Sequence, residues 1–500
     1  MPLNKVDSRH QLQFLNLEEL VDQASEVRLI DSYLKLLDPK VLGFKVKGES
    51  SEGRPAYAVK YLIGLYLYCY QNKTRSSRDI EKAAKLNVEL WWLLDYQKPG
   101  YKTISDFRKD NGQAMVKLFG HFRDFCIELG LFGKKIIAID GCKIRGQNSK
   151  KNNYNKKKID RQHEYSTNKV KEYLSQLEAN DLSEIERQKL EKKLSNANKS
   201  KAKYELLDEQ LKQSDEDQIS TSDEDGRALL IRRNIVEVGY NIQSSVDAKH
   251  NLIAHIDLTN EQNVNSLSDM AISTKNAFKL EEQERLTALA DKGYYSGDQI
   301  DKCHQNDIDT LVAIPKNSSP KKHPDFTTDK FKYDKKEDVL ICPAHKKLTC
   351  TGKILTKKDK KRTVKYKRYS LGKQTCHSCP FKNDCLSKNQ RGGKYIERKT
   401  THTALDKNRV DVKQRQEQYR KRQSIVEHPF GTIKRNWGYT YTLLRSKKKV
   451  KGEIALIGLC YNFKRAMNII GKEELKKAME AFFNQISIFM RFVAIPQPTE

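Results

Sequence analysis

Three acids, Asp140, Asp291 and Glu427, stand far apart in the chain, each in a local setting suited to phosphodiester chemistry. Asp140 ends the apolar run Ile136-Ile137-Ala138-Ile139 and is followed at once by Gly141. Asp291 ends Leu286-Thr287-Ala288-Leu289-Ala290 and leads into Lys292-Gly293-Tyr294-Tyr295. Glu427 closes the helix-reading stretch Ser424-Ile425-Val426-Glu427, ahead of Phe430-Gly431 and Lys434. Magnesium prefers oxygen ligands and keeps several waters, so a few carboxylates suffice. Two such ions roughly 4 Å apart can activate a water or a 3′-hydroxyl and stabilise the leaving oxygen. The expected cofactors are therefore two Mg2+ (or Mn2+) ions on Asp140, Asp291 and Glu427. A strand ending in Asp also serves turns, so either Asp alone says little. Glu427 stays open on the residues alone, because Glu417 and Glu453 lie in the same helical region. Pro429 predicts a kink or a restart in any helix through Glu427.

The bulk charge points the same way. The 500 residues carry 94 Lys+Arg against 65 Asp+Glu, a formal charge of +29. A field of that sign favours a polyanionic partner bound in a salt-sensitive manner. The longest apolar stretch, Tyr61 to Tyr70, falls short of the roughly 20 residues that span a bilayer, and Met1 to Glu19 has no signal-peptide core. Ten cysteines, half of them between Cys342 and Cys385, do not read as a secreted disulfide scaffold. The expectation is a cytoplasmic protein with no membrane partner.

The elements that must position these acids follow from periodicity. Residues 1–130 read as helical: Ser76 with Asp79 and Thr103 with Asp106 have capping-box spacing, and Phe107, Met115, Leu118, Phe122, Cys126 and Leu129 recur at helical intervals. Gly53-Arg54-Pro55 precedes a further helix over 57–70. From Lys134 the period changes to two. The strand ending at Asp140 is followed by Val238, Tyr240, Ile242 and Val246, a turn at 248–251, and Leu252, Ala254, Ile256 and Leu258, which predicts a hairpin. A helix over 266–280, the strand ending at Asp291, a helix with Ser296 and Gln299 as a capping box, and a strand over 310–314 complete the series. Long helices close the chain from about 407. Strand, strand, strand, helix, strand, helix, strand, helix is the ribonuclease H-like order. The expected architecture is thus α/β, a ribonuclease H-like mixed-sheet core (131–147, 233–315 and 401–470) preceded by the all-helical domain. The C-terminal helix and tail occupy 471–500.

Two insertions interrupt that core. Residues 148–232 begin with Lys150, Lys151, Lys156, Lys157, Lys158 and Arg161. Their spaced leucines predict a helical hairpin, read as a charged coiled coil without a catalytic part. Residues 316–400 hold the cysteines and a cationic run from Lys353 to Lys373. Cys376-x-x-Cys379 is a strong half-site for zinc, and with Cys342 and Cys385 it would make a closed, structural four-thiolate centre. Cys342-x-x-His345 and Cys350 compete for the other half. Lys143, Arg422, Lys434, Arg445, Lys447, Lys448 and Lys449 are the expected DNA contacts. Charge runs are more often solvated faces.

Several motifs, in order, carry a family resemblance. They are Gly53-Arg54-Pro55, Arg75 to Glu81, Thr103 to Arg108, Ile139-Asp140-Gly141 with Lys143, Val238 to Asp247, Ala290 to Ser296, and Val426 to Gly431 with Lys434. Leu444-Arg445, Glu453, Tyr461-Asn462 and Lys464-Arg465 follow. The chain resembles bacterial insertion-sequence transposases of the DDE class over nearly its whole length. The resemblance implies metal-dependent cleavage at the terminal inverted repeats of the element and joining of 3′-hydroxyl ends to target DNA. It also implies a homodimer in a synaptic complex, and Glu427 rather than Glu453 as third ligand. The related Tyr-Arg-Glu-Lys signature places its arginine where this chain has Gln423, so Arg422 is displaced by one. A ribonuclease H-like nuclease without strand transfer, and a zinc-containing DNA-binding protein with structural acids, are the competing readings.

Overall fold

A computed structural model describes residues 16–45, 56–178, 183–214, 216–232, 235–261, 265–281, 283–315, 323–359, 362–387, 390–399 and 401–493. Gly53-Arg54-Pro55 lies outside them. Contacts divide the chain into two compact units: one of Met1–Asn263, Asn276–Lys279 and Gln423–Glu500, the other of Val264–Lys275 and Leu280–Arg422.

In the first unit the described N-terminal residues are helical from Leu17–Leu20 to Gly112–Glu128. Ser76 caps the Ser77–Leu86 helix through the Asp79 N–H, as its spacing predicts. The Thr103 expectation is corrected: the helix begins earlier, at Tyr101, with Gly100 as N-cap and Thr103 inside it. The Val59–Gln71 helix is buried from Leu62 to Gln71, which its nearly unbroken apolar sequence requires, since a helix apolar all round belongs inside. Helix Gly112–Glu128 packs on helix Lys447–Ile470, with Phe122 and Phe463 stacked at 5.1 Å. The two backbones meet at glycines: a Cβ on Gly452 would lie 2.4 Å from the Gly112 Cα.

The sheet of this unit has β1 (Ile136–Arg145), β2 (Arg227–Arg232), β3 (Ile235–Asp247) and β4 (Ile253–Thr259). β1 pairs antiparallel with β3 from Ile137↔Asp247 to Arg145↔Gly239. The expected hairpin is present as β3–β4. β2, placed by the sequence reading inside the 148–232 insertion, instead pairs with the start of β3. The rest of that insertion is the expected hairpin of helices Lys156–Glu178 and Glu184–Gln213. Buried Ile159, Leu207 and Leu211 join it to Tyr154 on the short ribbon Asn153–Asn155/Gln218–Ser220.

Helix Lys447–Ile470 holds the hairpin down through the Tyr461-Asn462 motif. Asn462 exchanges hydrogen bonds with both the N–H and the C=O of Ile253, and the Tyr461 hydroxyl donates to the Asn251 carbonyl. These bonds satisfy backbone groups at the strand's start that burial would otherwise leave unpaired.

In the second unit β5 (Leu286–Ala290) and β6 (Ile308–Val312) are parallel, joined by helix Gly297–His304. Parallel neighbours need such a crossover. The Ser296/Gln299 capping box does not form. Ser296 makes no side-chain cap, and the Gln299 side-chain oxygen accepts from the Ser268 N–H and hydroxyl instead. Asn408 of helix His402–Gln414 pairs with the Val312 backbone in both directions.

The cysteine-rich stretch is a six-stranded antiparallel sheet, which periodicity did not reveal. Its strands are β7 (Lys332–Asp334), β8 (Val339–Ile341), β9 (Lys347–Cys350), β10 (Leu355–Asp359), β11 (Arg362–Ser370) and β12 (Tyr395–Lys399). Its core is small: Phe331, Leu340, Leu348, Tyr369 and Ile396 are the buried apolar cluster. Among the described residues no helix is long and apolar enough to cross a membrane.

Candidate active site and nucleic-acid interface

Asp140 is not at a strand end. β1 runs five residues past it to Arg145, because Gly141 to Arg145 find partners in Gly239 to Gln243. Asp140 is half-buried, opposite Ser244, and its carboxylate accepts from the Gly141 N–H at 2.8 Å. The pleat sets Asp140 and Cys142 on one face and Lys143 and Arg145 on the other. Burial pushes the Cys142 thiol up; Lys434 and Lys143 pull it down, and Asp140 pushes it up. Asp140 and Lys434 therefore both act on the same thiol.

Glu427 sits on helix Arg422–Phe430 with its side chain exposed. Pro429 lies inside that helix and removes an N–H from its ladder. The chain then continues as a π-helical turn, Gly431–Asn436, a distortion frequent at functional sites. The turn carries Lys434, whose ammonium donates to the Lys143 carbonyl at 2.5 Å. Gln423, standing where the signature has arginine, donates to Glu427 at 2.8 Å. A neutral amide thus occupies the position one turn before the acid.

Glu427 and Lys434 border a cleft of about 870 Å³ with Lys143, Arg145, Arg435, Phe430 and Tyr441. Four cations and two aromatic rings outnumber the two carboxylates of the lining, Glu427 and Glu237, and make a surface for a phosphate-rich, base-bearing ligand. The segment forming one wall is tied to β1: the Thr442 N–H donates to the Arg145 carbonyl and the Arg145 N–H to the Thr440 carbonyl. Arg145, Arg435 and Tyr441 were not singled out from the sequence, and Phe430 only within the motif around Glu427. Of the first three, Arg145 left a signal, two residues past Lys143 on an alternating strand.

Glu453 is structural. Its side chain is 0% exposed and paired with Arg75, itself only 8% exposed. It accepts from the Leu443 and Leu444 N–H groups at 2.9–3.0 Å and so fixes the strip bearing Tyr441. Glu417, the other alternative, is exposed on helix Gln416–Arg420 of the second unit.

Asp291 ends β5 as expected, in the second unit. It caps the short helical turn Lys292–Tyr294, accepting from the Gly293 N–H at 2.8 Å. Arg422 opens the Glu427 helix, half-buried, and does not border the cleft. Lys447, Lys448 and Lys449 form the first turn of helix Lys447–Ile470, where cations oppose the helix dipole. That terminus is capped by acids: the Ser446 N–H donates to Asp223 and the Lys447 N–H to Asp225. Arg445, Lys447 and Lys448 point to solvent.

Cys342, Cys376, Cys379 and Cys385 border one cavity, within the second unit, and Cys350 does not. Among the described residues no three His, Cys, Asp or Glu side chains are grouped to hold a metal ion.

Residues 341–467 match the family of the transposase DDE domain, and residues 15–110 match a transposase domain of the DUF772 family. The chain carries the domains of a DDE transposase. The DDE-domain match contains Glu427, Lys434, the cleft segment 430–441 and the four cysteines; Asp140 and Asp291 lie outside both matches. No curated protein matches the chain. Among solved structures it is similar to one titled as a piggyBac transposase synaptic complex with hairpin DNA, determined by cryo-electron microscopy. That likeness has a TM-score of 0.29 and 9% identity over 96% of this chain and 80% of that one, too weak to argue from.

Proposed function

We propose that this DNA transposase cleaves at the terminal inverted repeats of its own insertion sequence and joins the resulting 3′-hydroxyl ends to target DNA. The observation that carries the reading is the cleft on which Glu427 opens, walled by Lys143, Arg145, Lys434 and Arg435. In this reading the strand core is ribonuclease H-like, and two copies of the chain hold two ends together.

The cations bind backbone phosphates and give affinity without sequence information. Phe430 and Tyr441 offer faces to an unpaired base. Lys434, fixed by the Lys143 carbonyl, holds its charge at the cleft. Gln423 orients the Glu427 carboxylate.

Asp140, Asp291 and Glu427 are the residues that would hold divalent magnesium or manganese. Their donor chemistry fits, being all oxygen. When bound, such ions activate the attacking hydroxyl and stabilise the leaving oxygen.

The test is incubation of the protein with labelled DNA carrying its element ends, in magnesium and in EDTA. Cleavage and end joining in magnesium alone are expected, and Asp140→Asn, Asp291→Asn or Glu427→Gln should abolish cleavage while DNA is still bound. Binding without cutting in magnesium would overturn the enzymatic reading. Cutting without joining would reduce the protein to a nuclease.

A further inference from the structure

We infer that Cys342, Cys376, Cys379 and Cys385 form a structural zinc centre that closes the cysteine-rich sheet, a role separate from the DNA chemistry above. The four thiols converge on one cavity of about 640 Å³ from three separate elements. Cys342 follows β8, Cys376 and Cys379 lie on and just after helix Lys373–His377, and Cys385 ends helix Lys382–Cys385. All four are free thiols.

The local backbone is arranged for sulfur. After Cys342 the chain turns sharply at His345, with φ +57°, and the Lys346 N–H donates to the Cys342 sulfur at 3.2 Å. The Lys394 N–H donates to the Cys376 sulfur at 3.2 Å. Such bonds stabilise a thiolate over a thiol, which is the form that binds metal. Four thiolates on a dication leave a net charge of about −2, and lysines stand where it would develop. Lys346, Lys382 and Lys394 border the cavity, and the Lys394 ammonium donates to the Cys385 carbonyl at 3.1 Å.

Cavity geometry also decides between the donors that spacing left open. Cys350 does not border the cavity, and its sulfur accepts from the Gly352 N–H in its own turn. His345 borders the cavity but is a fifth donor beside a complete thiol set, and soft thiolates suit zinc. The sulfurs stand around the cavity without yet being grouped on one point, so binding must draw the Cys376–Cys385 turns toward the Cys342 turn, each thiol giving its proton to solvent. A need for such a staple is plain: five buried apolar side chains make up the core of this sheet, and small domains of that kind commonly rely on a metal.

The test is elemental analysis of the full chain purified without added metal, with thiol titration before and after chelation and the absorption spectrum of the cobalt-exchanged protein. One zinc per chain, four thiols unmasked on its removal and a sulfur-to-cobalt charge-transfer band are expected. Cys350→Ser and His345→Ala should keep the zinc, and Cys376→Ser should lose it. Hydrogen exchange over residues 372–387 should rise at least tenfold on chelation. A metal-free protein whose four cavity thiols already react before chelation, a Cys376–Cys379 disulfide, or zinc retained in Cys376→Ser would each overturn the assignment. None of these outcomes depends on whether the protein cleaves DNA.

Discussion

Replacing Glu453 by glutamine separates a structural acid from a catalytic one. Every partner of the Glu453 carboxylate is a donor: Arg75 Nη2 at 2.6 Å, the Leu443 N–H at 2.9 and 3.0 Å and the Leu444 N–H at 3.0 Å. An amide group in that place turns an NH2 toward a donor whichever way it is set, and no rotation avoids the clash. The Arg75 charge also loses its counter-ion while its side chain stays 8% exposed; its remaining contacts are the Tyr441 carbonyl at 2.8 Å and the Tyr439 and Tyr441 rings. Removing one partner of a buried pair costs about 3–5 kcal/mol. With a urea dependence of up to about 3 kcal/mol per molar, the unfolding midpoint should fall by at least about 1 M. The assay is intrinsic fluorescence, since Trp91, Trp92 and Trp437 all lie in the first unit and report its unfolding alone. Glu427→Gln, exposed on its helix, should leave the stability within about 0.5 kcal/mol of the parent. The reasoning is refuted if Glu453→Gln keeps the parent midpoint and loses only DNA cleavage, for then Glu453 and not Glu427 would be the acid at the reacting phosphate.

Two further outcomes follow from the same unit. Burial, with Arg123 and Lys451 nearby and Asp257 opposing them, pushes the His255 imidazole down to about 4, so the folded unit resists a proton that the unfolded chain accepts near 6.5. Its stability should be full above about pH 6.5 and fall by at most about 3 kcal/mol as the pH drops to about 4. Fluorescence-monitored urea titrations across that window would read the slope, which His255→Gln should flatten; an unchanged slope would show that other groups set it. Arg435, exposed at the cleft, should contribute one phosphate contact, so Arg435→Ala should lower the slope of log affinity against log salt by about 0.9 on duplex DNA, whatever its sequence. An unaltered slope in fluorescence-anisotropy titrations would remove the cleft from the DNA path.

The order of elements was legible because periods of two and of 3.6 are written in the side chains. The β3–β4 hairpin, the parallel β5 and β6, and the charged helical hairpin stand where alternation and spaced leucines put them. Boundaries were less legible. The apolar run before Asp140 ends, yet β1 continues through Gly141-Cys142-Lys143, since what extends a strand is the partner it finds, here Gly239 to Gln243. Likewise Ser296 and Gln299 have capping spacing, but Ser268 captures the Gln299 oxygen from 31 residues away. The sheet holding the cysteines escaped notice because its strands are short, lysine-rich and only thinly alternating.

The residues by themselves determined the basic charge, the α/β order and the acids worth considering, because composition, period and ligand chemistry are local properties. Only tertiary structure decided among them. It buried Glu453 against Arg75, left Glu427 open on a cleft rich in cations, and excluded Cys350 from the cavity that Cys342, Cys376, Cys379 and Cys385 share. The physical reason is common to all three: whether a charged or soft side chain is a brace, a ligand or a solvated surface depends on its exposure and its partners, and those partners come from segments tens to hundreds of residues away.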